Sequence, residues 1–162
     1  MRALRHLFAP SSARVFPPDM LERIAGAIAA SEARHTGEIC FAVEAALPLR
    51  LALVGHRPRE RALEVFSRLR AWDTEANNGV LVYMLLADRA IEIVADRGFN
   101  GRVDDADWAA ICHDLESAMR AGDTEAGVLR AIEAISALLE RHFPRPHGYV
   151  DSNELPDRPH LL

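Results

Sequence analysis

Two acidic stretches hold the oxygen donors best able to do chemistry in this chain. Asp96, Asp104, Asp105 and Asp107 cluster after one apolar run, and Asp73 and Glu75 lie in a polar stretch that ends in Asn77-Asn78-Gly79 before another. Hard cations such as Ca²⁺ and Mg²⁺ take carboxylate, amide and carbonyl oxygens from loops of this kind. Asp73, Glu75, Asn77, Asn78, Asp96 and Asp104 are therefore the candidate metal residues. A cation held there would polarise a phosphoryl oxygen and position a water for hydrolysis. The same residue types have a plainer use, since acidic residues at a helix N-terminus cap it and favour its dipole without a metal. The twelve-residue calcium-loop pattern is not matched.

Other chemistries find less support. The seven histidines, His6, His35, His56, His113, His142, His147 and His160, are scattered rather than set at ligand spacing. His35 and His142 fall near helix ends, where a cation meets the negative end of the dipole. His113 adjoins Cys112, but neighbours on a helix point about 100° apart and cannot form a nucleophile–base pair by adjacency. Phosphate-cradling, dinucleotide-binding, paired-cysteine, zinc-protease and serine-hydrolase motifs are all missing. No residue is assigned a catalytic role.

These side chains must be positioned by an ordered set of elements. Leu21, Ile24, Ala25, Ile28 and Ala29 form one face of a helix spanning Pro17–His35, with Asp19 near its start. Gly37 follows, where a left-handed residue is wanted. Ile39–Val43 reads as a strand buried on both faces. The stretch from Leu47 to Gly55 alternates like a strand but contains Pro48, and is left as an irregular or short helical crossover. Pro58 opens a second helix, with Ala62, Val65, Phe66, Leu69 and Trp72 as its buried stripe. Val80–Leu86, a tight turn at Asp88-Arg89, and Ile91–Ile93 read as a strand and a returning strand. A third helix, capped by Asp104 or Asp105, buries Trp108, Ile111, Cys112, Leu115, Ala118 and Met119 and ends at Gly122. A fourth, from Asp123 or Thr124, buries Val128, Ile132, Ile135 and Leu139 and stops at Pro144.

The first strand, second helix and next strand form a crossover long enough for a parallel pair. The expected fold is α/β: a small mixed, mostly parallel sheet with helices on both faces, a Rossmann-like layered sandwich. Ligand sites in this class lie outside the carboxyl ends of parallel strands. Residues 1–143 form the expected domain. Residues 144–162, rich in proline and without periodicity, are expected to be a mobile tail.

Length and composition bound the rest. At 162 residues, 49% apolar and 27% charged, the chain fits one soluble domain. Its 19 Lys+Arg against 24 Asp+Glu give a net charge of −5, which argues against nucleic acid as a partner. Cys40 and Cys112 sit in apolar stretches, as reduced buried thiols do. The first ten residues are broken by Arg5 and His6 and lack the roughly 7–15 apolar residues of a signal-peptide core. No window approaches the roughly 20 apolar residues of a spanning helix. The amphipathic set Arg2, Leu4, Arg5, Leu7 and Phe8 can touch a membrane surface, or serve as a frayed terminus or a cap on the core.

Several segments together resemble the TPM domain family, an α/β domain shared by thylakoid lumen proteins and many bacterial envelope or soluble proteins. They are Thr36-Gly37-Glu38-Ile39, Trp72, Asn77-Asn78-Gly79-Val80-Leu81-Val82, Ile91-Glu92-Ile93-Val94 with its glycine turn, and Gly122-Asp123-Thr124-Glu125-Ala126-Gly127-Val128. Two departures stand out. The family commonly has Asp-Asn-Gly before its central strand, where this chain has Asn77, and Asp96-Arg97-Gly98 replaces a more neutral Gly-x-Gly turn. The resemblance implies divalent-metal binding or acid phosphatase activity on phosphomonoesters, as described for some members. Many bacterial relatives carry a signal peptide and membrane anchor, and this chain looks like a stand-alone bacterial-type form.

Taken together, the expectation is a non-catalytic binding or accessory module, linked to membrane-protein maintenance through a protein partner at a membrane. It would be cytoplasmic or peripheral to the membrane. The alternative is an acid phosphatase dependent on Ca²⁺ or Mg²⁺, and a third reading is a small-ligand-binding α/β domain. No other cofactor is expected. The loss of the loop aspartate favours the first, because an amide brings no charge and cannot act as a general base.

Overall fold

A computed structural model describes residues 2–150 and 152–162; Met1 and Asp151 lie outside the described residues. Two apolar runs form its centre. β1 (Glu38–Glu44) and β2 (Gly79–Leu85) are buried at every position, as strands covered on both faces must be. They pair in parallel, from Glu38 opposite Gly79 to Glu44 opposite Leu85. β3 (Ala90–Ala95) returns antiparallel beside β2, after a 3-10 turn at Leu86–Asp88 that Arg89 closes in a left-handed conformation. With the short strand β4 (His160–Leu161) the sheet order is β3-β2-β1-β4. The sheet is mixed and mostly parallel, as the sequence pattern predicts.

Alternation along the strands sends successive side chains to opposite faces, and each face has its own helices. Ile39, Phe41, Val43, Val80, Val82 and Met84 pack with α3 (Pro18–Glu32), α6 (Asp105–Ala121) and α7 (Thr124–His142). Cys40, Ala42, Leu81, Tyr83 and Leu85 pack beneath α4 (Leu49–Leu53) and α5 (Pro58–Arg68). The undecided stretch Leu47–Gly55 thus contains a short helix. Pro48 starts it, its carbonyl accepting from the Leu51 and Ala52 amides at 2.8 and 3.1 Å.

Three details differ from the sequence reading. α5 ends at Arg68, and Trp72 is not part of its buried stripe: it is 47% exposed, with the Arg70 guanidinium 5.8 Å above its ring. Gly37 is needed for close approach and not for a left-handed backbone, because a Cβ there would run into the Leu139 side chain. Cys112 is only half-buried; both cysteines are free thiols.

At the C-terminus, residues 154–155 and 160–162 of the proline-rich segment make contacts with the body. Leu155 is buried, the Glu38 carboxylate accepts from the Glu154 and Leu155 amides at 3.2 and 3.3 Å, and β4 pairs in parallel with Ala42 and Val43 of β1. Periodicity has no purchase on such a segment, because carboxylates catching backbone amides hold much of it.

At the other end, α1 (Arg2–Leu7) and the single turn α2 (Ser12–Val15) lie over the carboxyl end of the sheet's centre. Asp88 fixes α1, binding Arg2 at 2.7 Å and His6 at 3.1 Å. The Leu47 amide donates to the other ring nitrogen of His6 at 3.0 Å.

Candidate functional site

The two acidic loops meet because β3 runs against β2, which puts the exit of β3 beside the entry of β2. The loop before β2 is built by local turns. Arg70 and Asn77 take left-handed conformations, the Asn77 amide donates to the Thr74 carbonyl at 3.2 Å, and the Asn78 amide donates to the buried Thr74 hydroxyl at 3.1 Å. The loop after β3 then zips onto it. Asp96 N donates to Gly79 O at 2.9 Å, and Gly98 N donates to Asn77 O at 2.8 Å. The Asp96 carboxylate accepts from the Arg97 amide at 2.7 Å, capping the 3-10 turn Arg97–Phe99.

Of the six candidate residues, Asn77, Asn78 and Asp96 are gathered at this junction. Asp73 and Glu75 are exposed on the rim: Asp73 pairs with Arg70, and the Glu75 amide donates to the Glu154 carboxylate at 2.9 Å. Asp104 sits at the N-terminus of α6, exposed and making no side-chain capping bond.

Within the junction the side chains diverge. By strand alternation Asn78 continues the row Val80, Val82, Met84 toward α3 and α7, while Asp96 continues the row of Val94 toward α5. Asn78 is fully buried and donates to the Thr36 hydroxyl at 3.2 Å. Its Oδ1 and the Asp96 Oδ2 are buried without a hydrogen-bond partner. The Asn77 Oδ1 is taken by Arg97, whose Nε donates to it at 2.9 Å.

This donor set does not fit a hard divalent cation. A Ca²⁺ site takes 6–8 oxygens and binds more tightly as more of them are charged, whereas here one carboxylate stands with two amides beside a guanidinium. Among the described residues no three His, Cys, Asp or Glu side chains are grouped to hold a metal. The cation at this junction is Arg97, a residue the sequence reading noted only as a departure in a glycine turn.

Two buried carboxylate networks were not read from the sequence. At the entry of β1, Glu32 accepts from the Ile39 amide at 3.0 Å. Burial, with Glu38 and Asp157 nearby and a hydrogen bond to Asp157, pushes its carboxyl up to about 9. It holds a proton where an exposed glutamate would not. At the carboxyl end of the sheet, where ligand sites of this class usually lie, Glu44 is occupied by its own neighbours. Arg61 binds it with two bonds of 2.9 Å, and the Tyr83 hydroxyl donates at 2.6 Å. Burial and that bond raise the Tyr83 phenol. Glu44 and Arg61 neutralise each other, so this triad clamps β1, β2 and α5 together. The signal for both networks lay in Glu38 and Glu44, which flank the apolar run read as a strand.

Cysteine chemistry is unfavourable: burial pushes the Cys40 thiol up to about 12 and the Cys112 thiol up to about 11, and the thiolate is the reactive form.

A mixed, mostly parallel four-stranded sheet between helical layers, with an Asn-Asn-Gly loop zipped to a glycine turn at its edge pair, defines a class of small α/β domain. The model of the TPM domain matches residues 11–138, and the chain belongs to that family. No curated protein matches it. Among solved structures it is similar to the NMR structure of the BA42 protein from the psychrophilic bacterium Bizionia argentinensis. The two are 26% identical with a TM-score of 0.74, over 93% of this chain and 94% of that one. It shares its fold with the N-terminal domain of a protein from P. gingivalis, at 19% identity and a TM-score of 0.62, over 85% and 86% of the two chains. No helix among the described residues is long and apolar enough to cross a membrane.

Proposed function

We propose that this TPM domain is a non-catalytic binding module, an accessory protein that acts through a protein partner at a membrane. Maintenance of membrane proteins is the process we assign to it, and the cytoplasmic membrane face the place. The observation that supports the non-catalytic reading is the Arg97–Asn77 bond. It sets an exposed guanidinium against an uncharged amide at the loop position where relatives commonly carry an aspartate. A cation brought to this point would meet like charge and find a single carboxylate, Asp96, already capping the Arg97 turn, where metal-assisted hydrolysis calls for several charged ligands and a free general base.

The rival reading, a phosphatase using Ca²⁺ or Mg²⁺, draws on the two unpartnered oxygens Asn78 Oδ1 and Asp96 Oδ2. One experiment separates them. The purified chain is given a chromogenic phosphomonoester with each cation, and the amide signals of Asn77, Asn78 and Asp96 are followed during the metal titrations. Neither turnover nor movement of those signals is expected. Hydrolysis that disappears in Asp96→Asn or Asp104→Ala, yet survives in the distant surface variant Glu22→Gln, would overturn the non-catalytic reading.

A further inference from the structure

α1 is an amphipathic helix turned inside out. Its polar residues Arg2 and His6 face the body, held by Asp88 and the Leu47 amide. Its apolar residues Leu4 and Leu7, with Phe8 just after it, are spaced i, i+3, i+4 and stand 54%, 63% and 78% exposed. α1 packs against α4, where Leu49 and Leu53, with Val54 just after the helix, are also exposed. Two adjacent short helices and the residue that follows each thus carry six of the ten large apolar side chains that the described residues leave exposed. Scattered exposed leucines need no explanation, but a concentrated patch does.

Charge says what covers it. Residues 2–18 and 45–59 contain six arginines and no aspartate or glutamate, in a chain whose net charge is −5. Arg5, Arg50 and Arg89 border the apolar residues, and none of the three forms an ion pair within the described residues. Arg5 and Arg89 also line an open cleft of about 770 Å³ with Leu4, Phe8 and Leu86. An apolar ridge bordered by unpaired arginines is the arrangement of a helix lying in the interface of an anionic bilayer. A second copy of this chain is a poor occupant, because a two-fold contact would set the same arginines against one another.

We infer that the α1–α4 face docks the protein peripherally on an anionic lipid surface, with Leu4, Leu7, Phe8, Leu49, Leu53 and Val54 entering the headgroup region and Arg5, Arg50 and Arg89 meeting lipid phosphates. The inference deepens the membrane-side reading above and rests on it. Its test uses neither catalysis nor a protein partner, so the two can fail separately.

The test is co-sedimentation of the full chain with vesicles of phosphatidylcholine alone and of equal parts phosphatidylcholine and phosphatidylglycerol, at low and at half-molar salt. Binding is expected only to the anionic vesicles, and it should weaken with salt. Leu7→Ser with Phe8→Ser should lower the partition coefficient at least about tenfold. Arg5→Gln and Arg50→Gln should each lower it about fivefold. In Phe8→Trp the added emission should shift to the blue on anionic vesicles. All these side chains are exposed, and circular dichroism checks that the fold is kept. Failure to bind anionic vesicles, binding that none of the substitutions changes, or a concentration-dependent dimer abolished by the Leu7 and Phe8 changes without vesicle binding would each overturn the inference.

Discussion

At the scale of single residues, the protein turns on where it keeps charge out of water. Arg97 and Asn77 carry one expectation. Asn77→Asp alone should leave calcium unbound, because Arg97 would pair with the new carboxylate; Asn77→Asp with Arg97→Ala should move the amide signals of Asn78 and Asp96 on adding calcium. Equal responses in the two variants would dismiss the guanidinium as the obstacle. Glu32 carries a second. Unfolded, it titrates near its ordinary 4.5; folded, near 9. Below pH 4.5 both states hold the proton, and between there and about 9 only the folded state does. Stability therefore falls as pH rises through that window and levels off above it. Glu32→Gln keeps an acceptor for the Ile39 amide without the ionisation, so at pH 8 it should be more stable than the parent by about 1–3 kcal/mol. Denaturation curves from pH 5 to 9 check this, and parallel profiles would refute it. Residues such as these were the least legible in the sequence. Asn77, Asn78 and Asp96 could be picked out because turn residues of the right type flank strands. Arg97, Glu32 and Arg61 could not, since the partners they meet, Asn77, the Ile39 amide and Glu44, are brought to them only when the chain is folded.

At the scale of elements, apolar patterning revealed far more. β1, β2, β3, α3, α5, α6 and α7 all follow from apolar runs and helical stripes, and their parallel crossover followed from order alone. What patterning missed was held by other means: α1 by Asp88, the final segment by Glu38. Truncating Leu155→Ala, a fully apolar loss against the α5 side of the sheet, should cost about 2–4 kcal/mol in urea denaturation, whereas an unanchored tail would show no cost. Gly79→Ala should be more severe. A Cβ on Gly79 would overlap the backbone carbonyl of Ala71, which cannot rotate away as a side chain can. The variant should lose about 3 kcal/mol or more, or fail to fold. A stable Gly79→Ala protein would show that the loop between α5 and β2 yields more readily than its hydrogen bonds imply.

At the scale of the whole molecule, the two ends of the sheet have been given different work. The entry end of β2 carries the acidic loops and the family's glycine turn; the carboxyl end carries the arginine-rich, leucine-rich face of α1 and α4. Net charge conceals this division, since −5 describes neither end. Both outer sides of the sheet are also guarded, β3 by Arg59, which donates to the Ile93 carbonyl, and β1 by a strand of only two residues. That short strand has a consequence. It should open far more often than the strands it borders, so amide hydrogens at Leu162 should exchange with solvent well before those at Phe41 or Val82. Each opening bares part of an unpaired parallel edge that fits the same segment of any neighbouring molecule. At high concentration, two copies can therefore trade their final strands, each completing the other's sheet without a single new contact type.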